Sequence, residues 1–136
     1  MDSGTNTIRV KYQTLKELEA EWASSKDSII GAQLIKRYSD LGRVTDPTWK
    51  QTIGQVVEQI ARQCIEDPDH FSSDDIFVRL ALLEVSSALI PIDAKIRDMA
   101  TQKKSALYKQ DPVLENEFNA LLRLDVPSLC EEMMGL

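Results

Sequence analysis

The sequence predicts an all-α protein, a single helical bundle of about six helices. Apolar residues recur at the three- and four-residue spacing of helices along almost the whole chain, and the alternating runs typical of strands are nearly absent. Glycine and proline number only five each in 136 residues, and several stand where a helix begins or ends. A chain of this length can bury one hydrophobic core, so we expect one domain over residues 14–136.

The first part of the chain contains an arm and two helices. Residues 1–13 are polar and precede the helical pattern, and we expect them to form a flexible N-terminal arm. Thr14 and Glu17 have the spacing of a capping box, which predicts a helix that starts at Thr14. A second helix is expected from about Ser28 to Gly42, because a glycine suits the left-handed cap at a helix C-terminus.

The middle of the chain predicts the centre of the bundle. Asp46 and Pro47 mark the start of a third helix, because a carboxylate at the N-cap and a proline in the first turn both suit a helix N-terminus. We expect that helix to end near Glu66 and to bury one face. In the next helix, over residues 74–90, apolar side chains surround nearly the whole circumference. A helix that is apolar on all sides is buried, so we expect this one at the centre.

Three helical segments are expected after the central helix. Pro91 either kinks the central helix or begins the next one, which extends to about Lys109. Asp111 and the proline after it repeat the start signal of the third helix. Residues 127–136 are expected to form a short apolar tail helix outside the main core, whose deletion leaves the bundle folded.

Residue types that carry catalysis are sparse, and we expect a protein that is not an enzyme and needs no cofactor. The single histidine, His70, lies in a turn and has no second histidine to join it as a metal ligand. Cys64 and Cys130 fall at apolar or tail positions, and no glycine-rich turn offers an oxyanion or phosphate site. The acids that follow Glu66 lack the spacing of a calcium loop, so no metal site is predicted.

Charge is distributed unevenly along a chain whose formal net charge is −6. Residues 46–90 hold 3 basic and 8 acidic side chains, residues 91–110 hold 5 and 2, and residues 111–136 hold 1 and 6. The overall acidity disfavours a broad nucleic-acid footprint.

No apolar run is long enough for a membrane span and no secretory signal is evident, so we expect a cytoplasmic protein without membrane contact. An export-like leucine spacing after Phe118 leaves nuclear shuttling open.

These features favour a non-enzymatic protein–protein interaction module, such as an adaptor, a regulatory subunit or an effector-like protein. The expected partner is another protein, and a homo-oligomer is left open. The candidate binding residues are cations of the basic segment 95–109 and apolar side chains of the tail: Lys95, Arg97, Lys104, Leu129, Met133 and Met134. One alternative is a nucleic-acid-binding regulator that uses the same basic segment.

The other alternative is a small ligand-binding protein or enzyme, and it depends on Glu84. Its helical projection falls between Phe77 and Leu80 on the helix that we expect to be buried. A buried carboxylate must be paired or protonated. We therefore expect Glu84 either to make a buried polar contact that specifies the packing or to line a pocket.

Overall fold

The structure, a computed structural model, describes residues 14–43 and 46–135. Over these residues it is an all-α bundle, which confirms the predicted fold class. The described residues form seven α-helices where about six are predicted: α1 (Leu15–Ser25), α2 (Ser28–Asp40), α3 (Pro47–Glu66), α4 (Ser73–Ser87), α5 (Ala94–Gln110), α6 (Leu114–Leu121) and α7 (Val126–Met134). A short 3₁₀ helix, Pro68–His70, joins α3 to α4. The arm predicted over residues 1–13 lies outside the described residues.

Capping side chains set the helix starts that the sequence predicts. The Thr14 hydroxyl accepts a hydrogen bond from the Glu17 amide at 3.2 Å, and the Asp46 carboxylate accepts one from the Thr48 amide at 3.0 Å. Each bond satisfies an amide that the helix itself leaves unpaired. Gly42, after α2, has a φ of +67°, a left-handed conformation that glycine adopts at low cost.

The helix α4 ends earlier than the sequence predicts. It stops at Ser87 rather than at residue 90, and Pro91 neither kinks it nor begins α5. Proline lacks an amide donor and disfavours helical conformation in the residue before it, so the helix ends ahead of it. The Asp93 carboxylate begins α5 instead, by accepting a hydrogen bond from the Lys95 amide at 2.8 Å.

The central position predicted for α4 agrees with its packing. It contacts α3, α5, α6 and α7. The rings of Phe77 on α4 and Phe118 on α6 lie 5.6 Å apart between centroids, within the range of favourable aromatic pairs. Buried apolar side chains cover much of its circumference: Ile76, Phe77, Leu80, Ala81, Leu82 and Leu83. None of the described helices combines the length and the apolar character that crossing a membrane requires.

The C-terminal helix α7 belongs to the core, so its prediction as a tail outside the core is wrong. It packs against α2 and α4. Leu129 and Cys130 are 0% exposed, and Met133 is 9% exposed. The helices that cover α7 come from distant parts of the chain, which no local pattern reveals. Deletion of residues 127–136 is therefore expected to remove core packing rather than a dispensable tail.

Candidate functional site

The predicted cations of α5 do not form one binding face. Lys95 and Arg97 are exposed, whereas Lys104 is partly buried. The Lys104 ammonium lies 3.9 Å from a carboxylate oxygen of Glu84 and 5.1 Å from the ring centroid of Phe118. Arg97 and Lys104 line one small cleft between α4 and α5, and Lys95 does not line it. Lys104 is therefore engaged within the chain.

Glu84 is exposed, which corrects the expectation that it is buried. Its side chain is 49% accessible, because this edge of α4 faces the cleft rather than a packed neighbour. The cleft has a volume of about 80 Å³. Pockets for small molecules typically measure about 300–1,000 Å³, so the cleft offers little room for a ligand.

The tail residues that were candidates for partner binding lie mostly in the interior. Leu129 and Met133 are buried, and Met134 is partly buried. A side chain that its own chain covers presents little surface to a partner. Leu129 and Met133 therefore serve the core, while a binding role for the exposed Lys95 and Arg97 stays a prediction.

Both cysteines are buried, and the single histidine lies exposed beside an acid. Cys64 and Cys130 are buried free thiols, and burial raises their pKa to about 11 and about 12. The thiolate is the reactive form, so a raised pKa makes a thiol a poor nucleophile at neutral pH. The His70 Nδ1 lies 2.7 Å from a carboxylate oxygen of Asp67, and this hydrogen bond raises the His70 pKa. Within residues 14–43 and 46–135, no three His, Cys, Asp or Glu side chains converge to hold a metal ion.

Arg79 is a buried cation that the sequence reasoning missed. It is 5% exposed, and burial holds its pKa below the ordinary value. Its guanidinium donates to the Asp75 carbonyl oxygen at 3.0 Å and to the Ser28 hydroxyl at 3.1 Å, and it stacks 4.7 Å from the Phe71 ring centroid. Arg79 therefore ties α4 to the start of α2. The available signal was a lone cation in an otherwise apolar helix segment.

A groove between α4, α6 and α7 has a different character from the α4–α5 cleft. Its volume is about 270 Å³. Its apolar lining consists of Phe77, Val78 and Leu121. One exposed acid from each helix completes the lining: Asp74 on α4, Glu117 on α6 and Glu132 on α7. We call these six residues the acidic groove.

The charges of the acidic groove are unpaired. Among the described residues, no Lys, Arg or His forms an ion pair with Asp74, Glu117 or Glu132. No cation lines the groove either. The three carboxylates therefore border an apolar surface without a counter-charge from the part of the chain that the structure describes.

Two larger grooves carry balanced charge. One of about 410 Å³, between α3 and the link from α4 to α5, contains Lys50 and Glu58. Another of about 350 Å³, between α1, α2 and α3, contains Glu19 and Lys26. Each holds one acid and one base. The acidic groove is distinguished from both by three acids without a base.

Helix-end stabilisation explains two of the three acids. Asp74 and Glu117 lie in the first turns of α4 and α6, where the helix dipole favours negative charge. Glu132 lies in the last turn of α7, where the dipole favours cations. The adjacent Glu131 pairs with Lys36 at 3.5 Å, whereas Glu132 forms no ion pair with another described residue. Folding of α7 therefore gives no reason for an acid at Glu132.

The acidic groove was not predicted from the sequence. Asp74 precedes Val78 by four residues, and Glu117 precedes Leu121 by four residues. Any amphipathic helix produces this spacing between an acid and an apolar residue, so it did not identify the groove. Comparisons with protein-family models, with curated proteins and with solved structures find no match to this chain. Function must therefore be inferred from the chemistry of the site.

Proposed function

We propose that the chain is a non-enzymatic protein–protein interaction module and that the acidic groove is its binding surface. One observation carries this proposal: the groove between α4, α6 and α7 exposes apolar side chains to solvent, and three carboxylates surround them. We call these carboxylates, those of Asp74, Glu117 and Glu132, the rim; no described cation pairs with them. Val78 and Leu121 are only partly buried within the chain, so a partner can cover them further. An apolar centre with a polar rim is typical of protein interaction surfaces.

The shape and charge of the acidic groove favour a protein over other ligands. Its volume of about 270 Å³ lies below the range of typical small-molecule pockets, and the groove is open rather than enclosed. Its carboxylates repel the phosphates of nucleic acids. A helix or loop of a partner protein can insert apolar side chains between the helices and still contact the rim.

The nucleic-acid alternative on residues 95–109 stays a prediction, and no contact in the structure favours it. Lys104 is paired with Glu84, and Asp98 interrupts the cations of the same helix. Affinity for duplex and single strands at about 50 mM salt tests it, and we expect no binding. The finer classes of adaptor, regulatory subunit or effector, and the cytoplasmic location, also stay predictions.

Quantitative capture from an extract of the native source tests the proposed function. The wild-type chain is compared with Leu121→Gln, which removes an apolar lining residue. The matched control is Leu41→Gln, the same change at a side chain that is 52% exposed and outside the groove. Burial of a leucine contributes about 1.5–3 kcal/mol, so we expect partners bound by wild type and control to fall about tenfold or more with Leu121→Gln.

Mass spectrometry of the captured proteins decides the outcome. Circular dichroism of all three chains shows first that each variant is folded. The proposal is contradicted if the folded Leu121→Gln chain retains the same proteins in the same amounts as the control.

A further inference from the structure

The rim of the acidic groove specifies the chemistry of its partner. Three carboxylates surround the apolar lining, and no cation within residues 14–43 and 46–135 pairs with them. We infer that the partner presents a cationic amphipathic helix, with an apolar stripe flanked by Lys or Arg. This inference rests on the interaction function proposed above and adds the class of partner.

The sign of the charge follows from the cost of covering the rim. An acidic partner is repelled by three like charges, which disfavours its binding. A neutral partner that covers the groove removes water from Asp74, Glu117 and Glu132 and leaves them unpaired, which costs free energy. A cationic partner replaces the lost water with ion pairs and charge-assisted hydrogen bonds. The rim therefore disfavours acidic and neutral partners and favours a cationic one.

A helical partner agrees with the spacing of charged and apolar residues in the groove. Asp74 precedes Val78 on α4 by four residues, and Glu117 precedes Leu121 on α6 by four residues. The backbone of each of these two acids therefore lies about 6 Å along the helix axis from that of an apolar lining residue. An amphipathic helix places cations three or four residues from its apolar anchors, which matches this separation.

Glu132 supplies the independent support for a ligand. It is the acid of the third wall, and it opposes the dipole of its own helix. Asp74 and Glu117 have a second role in starting their helices, whereas Glu132 has no such role. The stability of α7 does not explain the carboxylate of Glu132, whereas recognition of a cation on a partner does.

Binding of synthetic helical peptides to the full chain tests the inference. Three labelled peptides of about 18 residues, or five helical turns, are compared by fluorescence anisotropy. The Lys peptide has a leucine stripe flanked by lysines, the Glu peptide has glutamates in their place, and the scrambled peptide has the composition of the Lys peptide without a stripe. We expect the Lys peptide to bind at least about tenfold more tightly than either other peptide. Its affinity should fall between about 50 and about 200 mM salt.

Two matched charge variants locate the binding to the groove. The groove variant neutralises the rim with D74N, E117Q and E132Q. The control variant makes the same change in net charge at exposed acids outside the groove, with E66Q, D69N and D98N. We expect the groove variant to bind the Lys peptide about tenfold more weakly and the control variant to change its affinity by less than about twofold. Thermal melts confirm that both variants are folded.

Equal affinity for the Lys and Glu peptides, or equal loss in the groove and control variants, overturns the inference. Self-association of the chain that the groove variant abolishes also overturns it, because the occupant is then a second copy. The proposed function survives these results if Leu121→Gln still removes captured proteins. The two proposals therefore fail separately.

Discussion

The α4–α5 cleft and the acidic groove both open beside α4, but they differ in how their charged side chains are paired. In the α4–α5 cleft, Glu84 and Lys104 lie 3.9 Å apart, so this acid and this base neutralise each other, whereas Arg97 has no ion pair among the described residues. In the acidic groove, Asp74, Glu117 and Glu132 have no cation among the described residues. The difference lies in number and sign: the acidic groove gathers three acids that no described cation pairs, whereas the cleft holds one such cation beside an internal ion pair. The basic segment was the stronger signal in the sequence, whereas the acidic groove is the binding surface that we propose from the structure.

Removal of α7 is the most severe test of this comparison, because α7 supplies one wall of the groove and none of the cleft. Deletion of residues 127–136 should abolish cooperative unfolding. Truncation of one buried leucine or methionine costs about 2–5 kcal/mol, and the deletion removes Leu129, Cys130 and Met133 together. That sum approaches the whole stability of a typical domain, about 5–15 kcal/mol. A cooperative melt with unchanged helix content would show instead that α7 is a dispensable tail.

The next effect concerns the aromatic wall between the two openings. Phe118 lines the cleft, Phe77 lines the groove, and their rings are in contact range. Phe118→Ala should lower the free energy of unfolding by about 3–5 kcal/mol in urea denaturation. Val113→Ala, at a side chain that is 61% exposed, is the control and should change it by less than about 0.5 kcal/mol. Similar losses in both variants would show that this wall is not a core element.

Charge reversal at Glu132 separates stability from binding. Because a cation suits the last turn of α7, Glu132→Lys should leave the free energy of unfolding unchanged or raise it by about 0.3–1 kcal/mol. The same variant should weaken binding of the Lys peptide. Chemical denaturation and anisotropy on one preparation measure both effects. A clear loss of stability would mean that Glu132 has a structural partner, and the comparison between the openings would then fail.

A double-mutant cycle measures the internal pairing in the cleft. Glu84→Gln and Lys104→Gln, alone and together, should give a coupling of about 0.2–1 kcal/mol, the usual value for an exposed ion pair. The matched cycle between Glu132 and Lys104 should give no coupling, because the structure shows no contact between them. A coupling of similar size in both cycles would mean that long-range charge, rather than the Glu84–Lys104 contact, determines the result.

The smallest expected effect lies at an exposed pair outside both openings. The hydrogen bond that the His70 ring donates to the Asp67 carboxylate raises the His70 pKa in the folded chain, so the pair stabilises the fold below the unfolded pKa of about 6.5. This contribution is lost as the pH rises through the folded pKa. NMR titration of the His70 ring should show the raised pKa, and Asp67→Asn should return it towards its ordinary value. An unchanged His70 pKa in Asp67→Asn would contradict the pairing.

Features of the fold that depend on neighbouring residues were predictable from the sequence. The caps at Thr14 and Asp46 involve bonds to amides two or three residues away, so their spacing is visible in the chain. The buried character of α4 was visible because its own side chains are apolar in most directions. These signals are local, and the structure agrees with them.

The features that were wrong or missed depend on distant packing. Leu129 appeared unpartnered because α2, which helps to cover α7, precedes it by most of the chain. Glu84 appeared buried because the projection of α4 does not show that one edge borders an open cleft. The acidic groove combines side chains from three separate helices, so it becomes visible only when α4, α6 and α7 are packed together.

Amide NMR spectra of the ¹⁵N-labelled full chain, titrated with the Lys peptide, test the central claim most directly. The acidic groove predicts saturable shifts around Asp74–Val78, Glu117–Leu121 and Glu132, with little change at the α4–α5 cleft. Shifts concentrated along residues 95–109, or spread evenly over the surface, would contradict the assignment of the acidic groove as the binding surface for a cationic helix.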